Sequence, residues 1–156
     1  MSVRSASRRA FSLIELVIVV VIIGIIAAIA VPRMSRGAQG AADSSLVSSL
    51  STLRNAIDLY QTEHAGTFPA VATFVAQMTT YTDDAGAANA TKSATYYLGP
   101  YLRGIPALPV GPNKGATGVA AAAAASVGWV YDASTGAITA NAVGTKDSKG
   151  NDYGSY

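Results

Sequence analysis

The chain contains no cysteine and a single histidine. Without cysteine there is no disulfide framework, no thiolate nucleophile and no thiolate metal site. With His64 alone, a two-histidine zinc motif and any histidine-rich metal cluster are impossible. His64 follows Glu63 at a predicted helix end, where it caps the helix rather than doing chemistry. The segment Val110-Gly111-Pro112-Asn113-Lys114-Gly115 has the residue types of a phosphate-binding loop but not its spacing. No nucleophile–base set stands out, so the chain does not read as an enzyme. No basic patch marks a nucleic-acid surface, and no nucleic acid is predicted as a partner.

What the chain does have is an apolar run, Phe11 to Val31, reading FSLIELVIVVVIIGIIAAIAV. At about 1.5 Å per helical residue it spans roughly 31 Å, the thickness of a bilayer's hydrocarbon core. One ionisable side chain interrupts it, Glu15. A carboxylate there costs about 2.5–3.5 kcal/mol on insertion scales unless it is paired, so Glu15 needs a partner. Ser12 and Glu15 have capping-box spacing, which offers one local answer. Arg4, Arg8 and Arg9 precede the run and hold the N-terminus in the cytoplasm, while Arg33 and Arg36 flank the far end.

The motif Arg8-Arg9-Ala10-Phe11-Ser12-Leu13-Ile14-Glu15 resembles the class III signal of type IV pilins and of type II secretion pseudopilins. The resemblance implies cleavage by a prepilin peptidase between Ala10 and Phe11, methylation of the new amine, and Glu15 as fifth mature residue. Ala10 stands where the family usually has glycine. Pro32 falls at mature position 22, where the family usually has proline. Glu15 would then pair with the Phe11 amine of a neighbouring subunit and set the stagger of a filament. Cleavage removes three arginines, leaving eight Lys and Arg against nine Asp and Glu. A rival reading takes Ser7-Arg8-Arg9-Ala10-Phe11 as a twin-arginine signal and Ala28-Ile29-Ala30 as a signal peptidase site, which would release a soluble periplasmic binding module.

Beyond the run, Pro32 should kink the helix or start a fresh one. Gly24-x-x-x-Ala28 is a small-xxx-small pair that lets helices approach closely. After a loose Gly37–Gly40 stretch, Leu46, Leu50, Leu53, Ile57 and Tyr60 form an amphipathic stripe. Asp43, Arg54, Asp58 and Glu63 lie mostly off it. The predicted organisation is a leader at 1–10, a transmembrane and filament-core helix at 11–32, its amphipathic continuation at 33–65 and a C-terminal domain at 66–156. Gly66 and Pro69 end the helix. Residues 71–80 suggest a short helix and 83–93 a loop. Residues 96–112 suggest an ordered irregular segment packed by Tyr96, Tyr97, Leu102 and Leu108, with polyproline spacing at Pro106, Pro109 and Pro112 as the minor alternative. Residues 127–140 read as a hairpin turning at Asp132–Gly136, with Trp129 buried on the helix stripe. Ala120–Ala125 is low complexity and unassigned. The polar tail, 141–156, is expected to be exposed.

The expected fold is α+β and type IV pilin-like, a long N-terminal helix packed on a small antiparallel sheet. The expected role is a filament subunit, closest to the major pseudopilin of type II secretion, with a surface pilin for adhesion or motility as the alternative. The missing disulfide and the Gly99-Pro100-Tyr101-Leu102 segment with its following prolines favour the pseudopilin. Expected partners are identical subunits, the peptidase, the inner-membrane assembly platform and, before assembly, membrane lipid. Asp147 and Asp152 lie in a loop that offers oxygen ligands suited to calcium, but Lys149 stands where a full calcium loop would place another acid and no Glu follows at its twelfth position. The loop therefore reads first as a solvated tail, no cofactor is expected, and calcium is the minor alternative. The resemblance strengthens that alternative, although the family's ligand pattern does not transfer residue by residue.

Overall fold

The structure, a computed structural model, describes residues 11–156, with Pro32, Ser35 and Arg36 described by backbone alone. The chain divides into two compact units, Met1–Ala38 and Gln39–Tyr156. Helix α1, Leu13–Glu63, runs through both. Pro32, where a kink or a fresh start was expected, lies within the helix, and so does the Gly37–Gly40 stretch expected to be loose. Proline removes one donor from the ladder, and the apolar and alanine-rich flanks carry the helix past it. Each glycine costs about 1 kcal/mol against alanine, and Ala38, Ala41 and Ala42 are strong helix formers beside them. At the far end Gly66 N–H donates to Gln61 O at 2.8 Å while Ala65 adopts φ 52°. This is a Schellman closure with alanine in the left-handed position.

Within the second unit, the stripe reads directly into the core. Leu46, Leu50, Leu53, Ile57 and Tyr60 are each 2% exposed or less. They join one cluster with Phe74, Met78, Leu108, Trp129, Tyr131 and Ile138. A 3-10 turn at Val71–Thr73 leads into helix α2, Phe74–Thr79, where a short helix was expected. Strands β1 (Tyr81–Thr82) and β2 (Ala88–Asn89) then pair antiparallel. The second strand lies in the stretch expected to be loop. Two residues are too few for a periodic signal, and the turn is set by Asp83 Oδ1 accepting the Ala85 and Ala87 N–H groups.

The main sheet has β3 (Gly118–Ala120), β4 (Val127–Tyr131) and β5 (Ile138–Ala140) in that order. Strands β4 and β5 form the expected antiparallel hairpin, closed by Gly136 N–H to Asp132 O at 2.8 Å. Asp132 Oδ1 also accepts Ser134 N–H at 2.8 Å, and the Ser134 bonds hold its carboxyl below the usual range. Strand β3 pairs parallel to β4, with a register shift between Gly118 and Val119. The sheet is therefore mixed, where an antiparallel one was expected. The unassigned alanine run forms the tight return between the two parallel strands. Small side chains permit it, Ser126 takes φ 64°, and Asn141 Nδ2 donates to Ala124 O and Val127 O at 2.9 and 2.8 Å.

Two further expectations change. Tyr97 is exposed rather than packed, because its hydroxyl donates outward to Asp84 at 2.5 Å. The tail is not exposed throughout: Asn141, Ala142, Asp147 and Tyr153 are buried. Hydrogen bonding rather than apolar patterning draws it in. Leu102 and Leu108 are buried as expected, and Trp129, fully buried, donates its indole N–H to Pro106 O at 2.8 Å.

Candidate assembly segment

In the first unit, α1 is apolar on every face, so no orientation hides its side chains in water. From Leu13 to Val31 it is long and apolar enough to cross a membrane, and none of that span is buried within the chain. Phe11 is 83% exposed, and Ile18 and Ile22 are about half exposed. Glu15 Oε2 accepts the Ser12 backbone N–H at 3.2 Å, while Leu16 N–H donates to Ser12 O. Ser12 is thus the N-cap and Glu15 the third helical residue. Among the described residues only this half of a capping box is formed. The carboxylate also lies at the positive end of the helix dipole.

No atom comes within 4 Å of a Cβ built on Gly24, so nothing in this chain requires glycine there. Its bare surface is available to another helix. Arg4, Arg8, Arg9 and Ala10 lie outside the described residues, as does the side chain of Pro32.

Residues 5–31 match the family model of the prokaryotic N-terminal methylation motif. That motif marks type IV pilin-like proteins. The match takes in Ala10, Phe11, Glu15 and Gly24, and it ends at Val31. No curated protein and no solved structure gives a significant match to the chain. The methylation motif therefore coincides with the unburied helix and with the one carboxylate inside it.

The two acids considered for calcium lie in the second unit and are already engaged. Asp147 Oδ1 accepts the Lys149 and Asn151 N–H groups at 2.8 and 2.7 Å, and its Oδ2 accepts Asn151 Nδ2 and the Tyr156 hydroxyl. The Tyr156 hydroxyl, followed by the Asn151 donors, holds this carboxyl well below its usual range. Asp152 accepts Gly154 N–H on one oxygen and Gly144 N–H on the other. Among the described residues no three His, Cys, Asp or Glu side chains converge where they would hold a metal ion. As folded, both carboxylates accept hydrogen bonds from the loop's own N–H and O–H donors.

A third acid, given no role by the sequence, closes this loop onto α1. Asp43 accepts Ser148 N–H at 3.1 Å and the Tyr153 hydroxyl. Arg54 donates to Tyr156 O at 2.8 Å and Ile138 O at 3.2 Å. Two tyrosines in an otherwise polar tail were the signal that could have found this clasp. His64 behaves as a cap: its Nδ1 lies 2.9 Å from Tyr60 O, which requires the proton on Nδ1, and its ring stacks on Tyr60 at 3.8 Å.

Proposed function

We propose that this chain is a structural subunit of a type IV-like filament, and specifically the major pseudopilin of a type II protein secretion system. The observation that carries the reading is a membrane-length apolar helix, unburied by its own chain, that bears Glu15 and lies within the methylation motif. Burying one Val, Leu or Ile side chain stabilises by about 1.5–3 kcal/mol. A helix made of such residues can leave lipid only for an equally apolar place. The core of a filament built from identical helices is such a place.

In this reading the precursor sits in the inner membrane with its N-terminus in the cytoplasm. A prepilin peptidase cuts between Ala10 and Phe11, and the new amine is methylated. An inner-membrane assembly platform then moves the subunit from lipid into the filament. The Phe11 amine of one subunit pairs with Glu15 of the next, and Gly24 admits close helix contact. The Gln39–Tyr156 unit faces outward, and no residue of it is assigned a catalytic role.

A surface pilus uses the same N-terminal code. The absence of cysteine and the Gly99-Pro100-Tyr101-Leu102 segment favour the pseudopilin. Release as a soluble periplasmic module is disfavoured, because a cut after Ala30 would fall inside the continuous helix α1.

Mass spectrometry of the membrane-extracted chain tests the shared part of the reading. A methylated Phe11 at position one is expected, and an N-terminus at Val31 would overturn it. Deleting the chain tests the finer part. Secreted proteins should accumulate in the periplasm. Normal secretion with lost surface attachment would assign the chain to a pilus instead.

A further inference from the structure

We propose that Asn89 is an N-glycosylation site, modified after export by a membrane oligosaccharyltransferase that uses a lipid-linked pyrophosphate sugar donor. The chain has five asparagines, Asn55, Asn89, Asn113, Asn141 and Asn151. Only Asn89 is followed two residues on by serine or threonine, in Asn89-Ala90-Thr91. Asn-x-Thr with a residue other than proline between is the acceptor pattern, and it functions on surface segments of exported proteins.

The fold presents this tripeptide accessibly. Asn89 ends β2, and Ala88, Asn89, Ala90 and Thr91 are all exposed. Asn89 Oδ1 accepts Thr91 N–H at 2.9 Å, so the side chain folds back over the residue that completes the pattern. Among the described residues Asn89 Nδ2 donates no hydrogen bond, and the Thr91 hydroxyl makes none. Both groups that the transfer needs are therefore free. Tyr81 lies directly opposite Asn89 in the β1–β2 register. Register partners put their side chains on one face, with Cβ atoms about 4.5–5.5 Å apart. The half-buried Tyr81 ring therefore lies on the same face as Asn89, with Lys92 Nζ 5.9 Å from its centroid.

In the transfer, Asn89 Nδ2 attacks the anomeric carbon of the sugar. The new carbon–nitrogen bond forms as the bond from that carbon to the pyrophosphate oxygen breaks. The lipid pyrophosphate leaves with the electron pair, and the Nδ2 proton passes to a base of the enzyme. Nothing is oxidised or reduced.

The proposal rests on the exported topology argued above. The test is peptide mass mapping of the full chain purified from the envelope of the cells that make it. The peptide bearing Asn89 is expected to carry a glycan, with Asn89 converted to aspartate on enzymatic release. Thr91→Ala should abolish the glycan while keeping the turn, because Thr91 contributes only its backbone N–H to that turn. Thr91→Ser should retain it. Bare Asn89 on molecules that begin at Phe11 would overturn the proposal and leave the filament reading standing. Bare Asn89 on molecules that keep residues 1–10, with the domain protected from external protease, would overturn the exported topology and this proposal together. A glycan that survives Thr91→Ala lies elsewhere and also overturns it.

Discussion

The Tyr153 hydroxyl donates to the Asp43 carboxylate and joins positions 110 residues apart. With the Ser148 and Arg54 bonds it fastens the tail to the helix face just past Gln39. A chain without cysteine thereby closes its last segment with hydrogen bonds to charged groups. Tyr153→Phe keeps the packed ring and removes only the hydroxyl. It should cost about 1.5–3 kcal/mol, the range for a hydrogen bond to a charged partner. Thermal unfolding of the detergent-solubilised chain measures this, and an unchanged midpoint would show the bond to be idle.

The clasp also fixes a pH dependence. Asp43 is held below the usual carboxylate range, first by Ser148 and then by Tyr153, although nearby Asp147 opposes this. Asp147 is lowered chiefly by the Tyr156 hydroxyl. A carboxyl whose folded pKa is depressed adds stability above its unfolded value of about 3.9 and loses it as pH falls through the folded value. Tail stability should therefore be flat from neutrality down to about pH 5 and decline below about pH 4. Tyr153 works in the opposite direction. Burial and the Asp43 bond push it up to about 12, so its contribution is complete below about 10 and is lost as pH rises through about 12. Hydrogen exchange at residues 144–156 reads the acid limb. Asp43→Asn should shrink it to the part that Asp147 contributes.

Trp129 is fully buried, and its indole N–H is satisfied by Pro106 O. Trp129→Ala should cost about 3–5 kcal/mol through the cavity it leaves. It should also free the Gly104–Pro109 segment. The wild-type chain should show a blue-shifted tryptophan emission, and emission typical of water would contradict this packing.

The glycines give a paired comparison. Gly86 has φ 82°, and a Cβ there would collide with the Tyr60 hydroxyl and touch Gln77 Nε2 at 3.0 Å. Gly66 has φ 86° with open space around it. Gly66→Ala should cost only the backbone strain, about 1–3 kcal/mol. Gly86→Ala should cost visibly more, because Gln77 also donates to Gly86 O and accepts from Ala70 N–H. Equal losses in thermal unfolding would refute the collision.

What the sequence made legible was carried by periodicity. The Leu46–Tyr60 stripe and the 127–140 hairpin both put apolar side chains at regular spacing, and both are found in the core. The tail had no such signal. Asp147 and Asn141 are buried because their polar atoms find partners in the fold, and residue type alone does not show which partners those are. The parallel pairing of β3 was hidden for a similar reason. A three-residue strand has too little alternation to read, and its return loop is a featureless alanine run. At the assembly segment the sequence offered two partners for Glu15, and one of them, the Ser12 N–H, is present within the single chain.

That local bond makes the Glu15 experiment sharper. Glu15→Ala removes both the cap and the charge, so it cannot separate the two roles. It should leave membrane insertion intact or improved, since it takes a carboxylate out of the bilayer. Gln at position 15 can still accept the Ser12 N–H but carries no charge to meet the Phe11 amine of a neighbour. If the intersubunit pair sets the stagger, Glu15→Gln should be made, inserted and cleaved normally, yet enter filaments poorly. If capping is the whole role, Glu15→Gln should polymerise almost as well as the parent while Glu15→Ala frays at Leu13 and Ile14. Filament yield from sheared cells, normalised to membrane-inserted subunit, decides between them. Normal yield from Glu15→Gln would leave the carboxylate as a cap and remove the charge pair from the assembly mechanism.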